Sequence, residues 1–160
     1  MPHIENLIAS IDGTSTLRSR IVWLVGLPGT GKTSLLYRLM EMRSNYQHVN
    51  INKLLCEKLL DDAPDKRRFI GGTYLAEILR PKANDAWLVD NIEVLFSNEL
   101  KLSIVDSLKA LAQQAPLVVA WPGKYENGRL IYGARTHLDY YEYPLDSPVV
   151  VDLNNTKNQG

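Results

Sequence analysis

The strongest constraint on this chain is the stretch from Arg20 to Leu39, where an apolar run, Ile21 to Val25, meets a glycine-rich loop and then a helical pattern. The loop reads Gly26-Leu27-Pro28-Gly29-Thr30-Gly31-Lys32-Thr33 and fits the phosphate-loop spacing G-x-x-x-x-G-K-[ST] in full, between a strand and a helix as that motif needs. Glycines lack a Cβ, so the backbone can take left-handed angles and approach a ligand closely, and successive N–H groups form an anion nest. The helix start near Lys32 adds unpaired N–H groups and the positive end of its dipole. Lys32 then serves the β- and γ-phosphates as a point charge, and the Thr33 hydroxyl ligates Mg2+. The expected binding set is Gly26, Pro28, Gly29, Thr30, Gly31, Lys32, Thr33 and Ser34, for ATP with Mg2+. The alternative is a glycine-rich turn carrying a surface lysine.

A second acid supports the first reading. Ala86-Trp87-Leu88-Val89-Asp90 reads as an apolar strand ending in a carboxylate, where a Walker B aspartate would hold Mg2+ opposite Thr33. An Asp at a strand end can equally cap the next turn. Hydrolysis also needs a group that orients or deprotonates water. The residue after Asp90 is Asn91, and Glu93 lies three positions on. If a helical turn starts at Asp90, the two acids share a face. Glu93 is then either the water-directing acid or a helix-start carboxylate favoured by the dipole.

The rest of the chain alternates helices and strands. Helical spacing predicts helices over residues 3–11, after the loop to about Arg43, around Leu54 to Leu60, from a Thr73 cap to Leu79, and over Ile104 to Ala112. Strands are predicted at 21–25, 48–52, 86–90, 117–121 and 148–152, and Asp61 to Arg68 reads as a charged surface loop. Asn127-Gly128 between Lys124-Tyr125-Glu126 and Arg129-Leu130-Ile131-Tyr132 is a hairpin signal. This order implies an α/β fold: a three-layer αβα P-loop NTPase core with a mainly parallel five-stranded sheet. Residues 1–153 read as one domain and 154–160 as a polar tail.

Composition excludes several classes. Lys plus Arg equals Asp plus Glu at 18 each, so no global basic field holds nucleic acid; Lys66, Arg67 and Arg68 read as solvated surface, with a local basic face the alternative. Cys56 is the only cysteine, expected to be a small buried thiol in a helix, and neither a disulfide nor a cysteine metal cluster follows. His3, His48 and His137 show no metal-ligand spacing. No apolar run approaches a membrane span and there is no apolar signal core, so the default expectation is a cytoplasmic protein without membrane contact.

With these residues in view, the loop and element order resemble the AAA+ division of P-loop ATPases over about residues 15–153. The resemblance implies a first strand flanked by the fourth and fifth. Three features depart from it: Asp90-Asn91 replaces the acidic pair, Trp121-Pro122 replaces a polar sensor, and the C-terminal helical lid with its sensor arginine has no counterpart. A narrower resemblance lies in L-V-D-N-I-E-V-L-F, V-V-A-W-P-G-K-Y-E-N-G-R-L-I-Y and the tyrosine-rich segment after them. They are similar to the BrxF family, small P-loop proteins of bacteriophage-exclusion (BREX) defence systems. That resemblance implies an antiphage role beside a large ATPase, a PglZ-like phosphatase-fold protein and a DNA methyltransferase.

Tyr125, Tyr132, Tyr140, Tyr141 and Tyr143, interleaved with Arg129 and Arg135, also stand out. They read as a protein interface, as a platform for single-stranded nucleic acid, or as a hairpin packed on the sheet edge. Three functions compete: an ATP-hydrolysing module within a larger assembly or homo-oligomer, a nucleotide-gated protein- or DNA-binding module with negligible turnover, and a small-molecule kinase. For the first, the catalytic set is Lys32, Asp90, Glu93 and, supplied in trans, Arg129, with Arg135 the other arginine considered.

Overall fold

A computed structural model describes residues 2–82 and 84–154. The tail expected over 154–160 therefore lies outside the described residues except for Asn154. The main sheet has five strands: β1 (Ile21–Val25), β2 (Tyr46–Asn50), β3 (Ala86–Asp90), β4 (Leu117–Trp121) and, after the three strands of a smaller sheet, β8 (Val150–Asp152). Their order is β2-β3-β4-β1-β8, and every pairing is parallel. The first strand thus lies between β4 and the last strand, the arrangement that the resemblance implies.

Three main strands, β1, β3 and β4, are buried along their whole length, which explains their continuous apolar runs. Alternation divides the side chains between two cores. Ile21, Trp23 and Val25 join one with α3 (Ile51–Leu59), α4 (Arg67–Ile78) and α5 (Ile104–Leu111). Val22 and Leu24 join the other with α1 (Pro2–Gly13) and α2 (Lys32–Met42). Helices therefore cover both faces, and both the loop after β1 and the acid ending β3 emerge at the carboxyl edge of the sheet.

Several element boundaries differ from the sequence reading. β2 ends two residues early because the Asn50 side chain caps α3, accepting from Lys53 N–H at 3.0 Å. α4 starts at Arg67, inside the expected charged loop and ahead of the expected Thr73 cap. Its Gly71 faces Leu100 so closely that a Cβ would lie 2.9 Å from a Leu100 methyl, so tertiary packing holds a glycine-bearing helix together. Arg67, one of the three basic residues in that region, pairs with Glu99 at 2.9 Å. Cys56 lies on α3 as expected but is exposed, not buried. The last strand begins at Val150 instead of Pro148.

The tyrosine-rich segment forms a three-stranded antiparallel sheet of β5 (Lys124–Glu126), β6 (Arg129–Tyr132) and β7 (Tyr141–Pro144). Asn127 and Gly128 take φ of +52° and +75°, the turn that the Asn-Gly pair predicts. Tyr132 stacks on Phe96 at 3.7 Å between ring centroids, and Tyr141 meets the edges of Phe96 and Trp121. The hydroxyls of Tyr143 and Tyr140 donate to Asp106 and Glu142. Tyr125, Tyr132, Tyr141 and Tyr143 pack against the main core cluster, which favours the packed hairpin over a stacking platform. Tyr132 and Tyr141 are held to higher pKa by burial.

Candidate functional site

The loop between β1 and α2 closes around its own backbone. Gly29 and Gly31 sit at φ of +85° and +95°, and Gly31 is the N-cap of α2. Gly26 admits no side chain, because a Cβ would stand 2.2 Å from the Thr30 hydroxyl. That hydroxyl donates to Leu27 O at 2.8 Å and tightens the turn. The Lys32 ammonium folds back on the loop, donating to Gly26 O at 2.5 Å and Leu27 O at 3.2 Å. Burial lowers its pKa, and the nearby charges of Asp90 and Glu93 oppose that shift.

Asp90 is 3% exposed and receives three hydrogen bonds. The Thr33 hydroxyl donates to Oδ2 at 2.8 Å, and the Asn91 N–H donates to Oδ1 at 2.9 Å. His48 Nε2 lies 2.9 Å from Oδ2. A carboxylate only accepts, so Nε2 is assigned the proton. The His48 ring lies 4.6 Å from that of Tyr37 on α2. The structure thus brings Thr33 and Asp90 together as the spacing predicts.

An open cleft of about 310 Å3 lies over these groups, and Pro28, Gly29, Gly31, Ser34, Asn91 and Glu93 line it together with them. Glu93 reaches this cleft by a different route from the one expected. Asn91 takes a left-handed φ of +54°, so no helical turn starts at Asp90, and the short 3-10 helix begins at Glu93 itself. Its place at the first turn keeps the helix-start role open beside the catalytic one. Trp121, at the sensor position, turns away into the core and donates from Nε1 to Ile131 O at 3.0 Å. Only Pro122 of that pair reaches the cleft.

Arg129 stands outside the cleft lining and donates to Glu142 at 2.7 Å. Arg135 lines a separate cavity beside Tyr140. Neither completes the site within one chain, and the alternative in which Arg129 pairs with a nearby acid is the one seen.

Two residues here escape the sequence reading. His48 is dismissed there for lack of metal-ligand spacing, yet it holds Asp90 from a strand 42 positions away. Asn154 accepts from Leu27 N–H at 2.9 Å and donates to Gly123 O at 2.9 Å, tying the start of the loop to the segment after β4. A short stretch rich in β-branched residues from His48 to Asn52 is the only local signal for the first; the second has none. His48→Ala is expected to weaken Mg2+-dependent ATP binding about fivefold, the worth of one ordinary hydrogen bond at ~1 kcal/mol. His48→Gln, which keeps a donor, should retain affinity. Titration calorimetry of both variants, with and without Mg2+, reads the difference.

Among the described residues no group of three or more His, Cys, Asp and Glu side chains is placed to hold a metal. The hydroxyl of Thr33 and the carboxylate of Asp90 are hard oxygen donors, adjacent and facing the cleft, and fit Mg2+ that takes its other ligands from phosphates and water.

No protein-family model and no curated protein matches the chain. Among solved structures, the chain is similar to that titled "Structure of C. elegans PCH-2", at 16% identity over 76% of this chain and 35% of that one, with a TM-score of 0.35. A likeness this slight carries no argument about fold or function. Among the described residues no helix is long and apolar enough to cross a membrane.

Proposed function

We propose that this chain is an ATP-binding P-loop module that hydrolyses ATP slowly by itself and works within a larger assembly in the bacterial cytoplasm. The observation that carries the reading is the meeting of Thr33 and Asp90 at 2.8 Å, beside Lys32, at the mouth of a loop with two left-handed glycines. Lys32 leaves its two loop carbonyls and takes the β- and γ-phosphates, while the α2 N–H groups face the anion. A smaller cleft of about 210 Å3 shares Gly31 and Ser34 with the first and has Leu35 and Leu153 in its walls beside His3 and Arg38. It is the natural place for the nucleoside. When bound, Mg2+ on Thr33 and Asp90 supplies charge neutralisation at the phosphates. Glu93 accepts a proton from water as its oxygen bonds to the γ-phosphorus and the bond to the bridging oxygen breaks, the electron pair leaving with ADP.

The bacteriophage-exclusion role extends this proposal. It is supported by the resemblance of residues 88–96 and 118–132 to the BrxF family. The partners would then be a large ATPase, a PglZ-like protein and a DNA methyltransferase, and Arg129 or Arg135 would act on a neighbouring subunit's site. A second reading, nucleotide-gated binding with negligible turnover, is favoured by Asn91, whose side chain replaces an acid next to Asp90.

Lys32→Ala tests the proposal. A charged hydrogen bond to phosphate is worth ~1.5–3 kcal/mol, so Mg·ATP affinity should fall roughly ten- to hundredfold. Asp90→Asn should lose affinity only when Mg2+ is present. Circular dichroism should show both variants folded. Tight Mg·ATP binding by a folded Lys32→Ala protein would sink the assignment.

A further inference from the structure

The outer edge of β2 has no strand partner among the described residues. A groove of about 620 Å3, twice the volume of the cleft over Lys32, follows that edge. Gln47, His48, Val49 and Asn50 all line it, although consecutive side chains of a strand face opposite sides of a sheet. The backbone edge of β2 therefore forms part of the wall, and Trp87 of β3 adds to the lining beside it. Such an edge offers a row of N–H and C=O groups to an incoming strand.

The opposite wall comes from α3 and from the end of α4 with the residues after it. It carries four cations, Lys53, Lys58, Arg80 and Lys82, against one acid, Glu77. On a chain with 18 charges of each sign this excess is local. Lys58 pairs with Glu77 at 3.2 Å, and Lys82 lies over the Trp87 ring at 5.5 Å. Lys53 and Arg80 have no ion-pair partner among the described residues and are exposed.

We propose that this groove takes an extended acidic peptide segment of another protein, which adds to β2 as a strand and sets its carboxylates against Lys53 and Arg80. Strand addition gives affinity through main-chain hydrogen bonds and specificity through alternate side chains, and the groove supplies both an edge and a charged wall. A nucleic acid would answer the charge but has no backbone ladder to pair with the edge. His48 reaches Asp90 from the same strand, so the occupant lies one side chain away from the proposed magnesium ligand.

The test uses nucleotide-free protein, so its outcome is independent of the phosphate-site reading. A fluorescein-labelled eight-residue peptide of alternating valine and glutamate is titrated by anisotropy, and hydrogen exchange follows the amides of 46–50. Saturable binding with slowed exchange in that strand is expected. Lys53→Glu with Arg80→Glu, both at exposed positions, should cut affinity roughly tenfold, about the worth of two surface ion pairs. N-methylation of alternate peptide amides should cut it further, roughly a hundredfold, since about three main-chain bonds are lost at ~1 kcal/mol each. Equal binding of the N-methylated peptide, or no binding up to about 1 mM (~4 kcal/mol), would overturn the proposal. So would tighter binding of oligothymidylate abolished by the same two substitutions, which assigns the groove to single-stranded nucleic acid. Dimerisation of the protein lost through those substitutions would likewise overturn it, in favour of a second copy.

Discussion

Glu93→Gln protein is expected to bind Mg·ATP as tightly as the native chain and to turn it over roughly 10²–10⁴-fold more slowly, the usual contribution of a positioned general base. The expectation follows from the division of labour proposed for the cleft. Asp90 is buried and bonded by Thr33, His48 and the Asn91 amide, which suits a fixed metal ligand. Glu93 lines the cleft as an exposed side chain with no hydrogen-bond partner among the described residues, which suits a group that must meet water. The glutamine keeps the size of the side chain and removes its basicity. Single-turnover phosphate release, with nucleotide affinity measured beside it, separates chemistry from binding. If the variant hydrolyses ATP at the native rate, Glu93 is the helix-start carboxylate of its alternative reading, and another group directs the water.

Trp121→Ala should cost ~3–5 kcal/mol of stability, as large-to-small changes at fully buried aromatic sites do. Trp121 is 0% exposed and touches Trp23 at 6.0 Å, Phe96 at 5.2 Å and Tyr141 at 6.0 Å between ring centroids. Its Nε1 holds Ile131 O of the small sheet. The substitution therefore empties the junction between the two sheets and removes the indole donor from the half-buried Ile131 carbonyl. For a domain of this size the melting temperature should drop by roughly 10 °C. Thermal unfolding checks the amount. Loss of hydrogen-exchange protection first in β5 to β7, ahead of the main sheet, checks the cause. A shift of a degree or two would mean that the small sheet is anchored elsewhere.

The site was legible in the sequence where its chemistry is local. Gly26 to Thr33 are contiguous, and their order alone dictates left-handed glycines and a helix start, which the backbone angles of Gly29 and Gly31 match. Asp90 was legible because an apolar run fixes where its strand ends. The reading weakened where a residue acts through distant contacts. His48 and Asn154 meet the site across 42 and 127 positions, and no periodicity announces such a pairing. α4 was cut short because Gly71-Gly72 and a charged start oppose helix by propensity, whereas Leu100 packing overrides that preference. β7 was missed because Tyr141 to Pro144 alternates too briefly to register without β6 beside it. The tyrosines left interface, stacking platform and packed hairpin open in the sequence, because their type says nothing of which side of the hairpin they face.

The central claim is that the loop binds the polyphosphate of a nucleotide. Competition by ATP, ADP and AMP against a fluorescent ATP analogue, with and without Mg2+, tests it most directly. The claim predicts that ATP and ADP compete, that AMP is weaker by roughly a hundredfold or more because it lacks the phosphates that Lys32 holds, and that Mg2+ strengthens ATP binding. Equal competition by AMP, or no binding of any nucleotide up to about 1 mM (~4 kcal/mol), would contradict it.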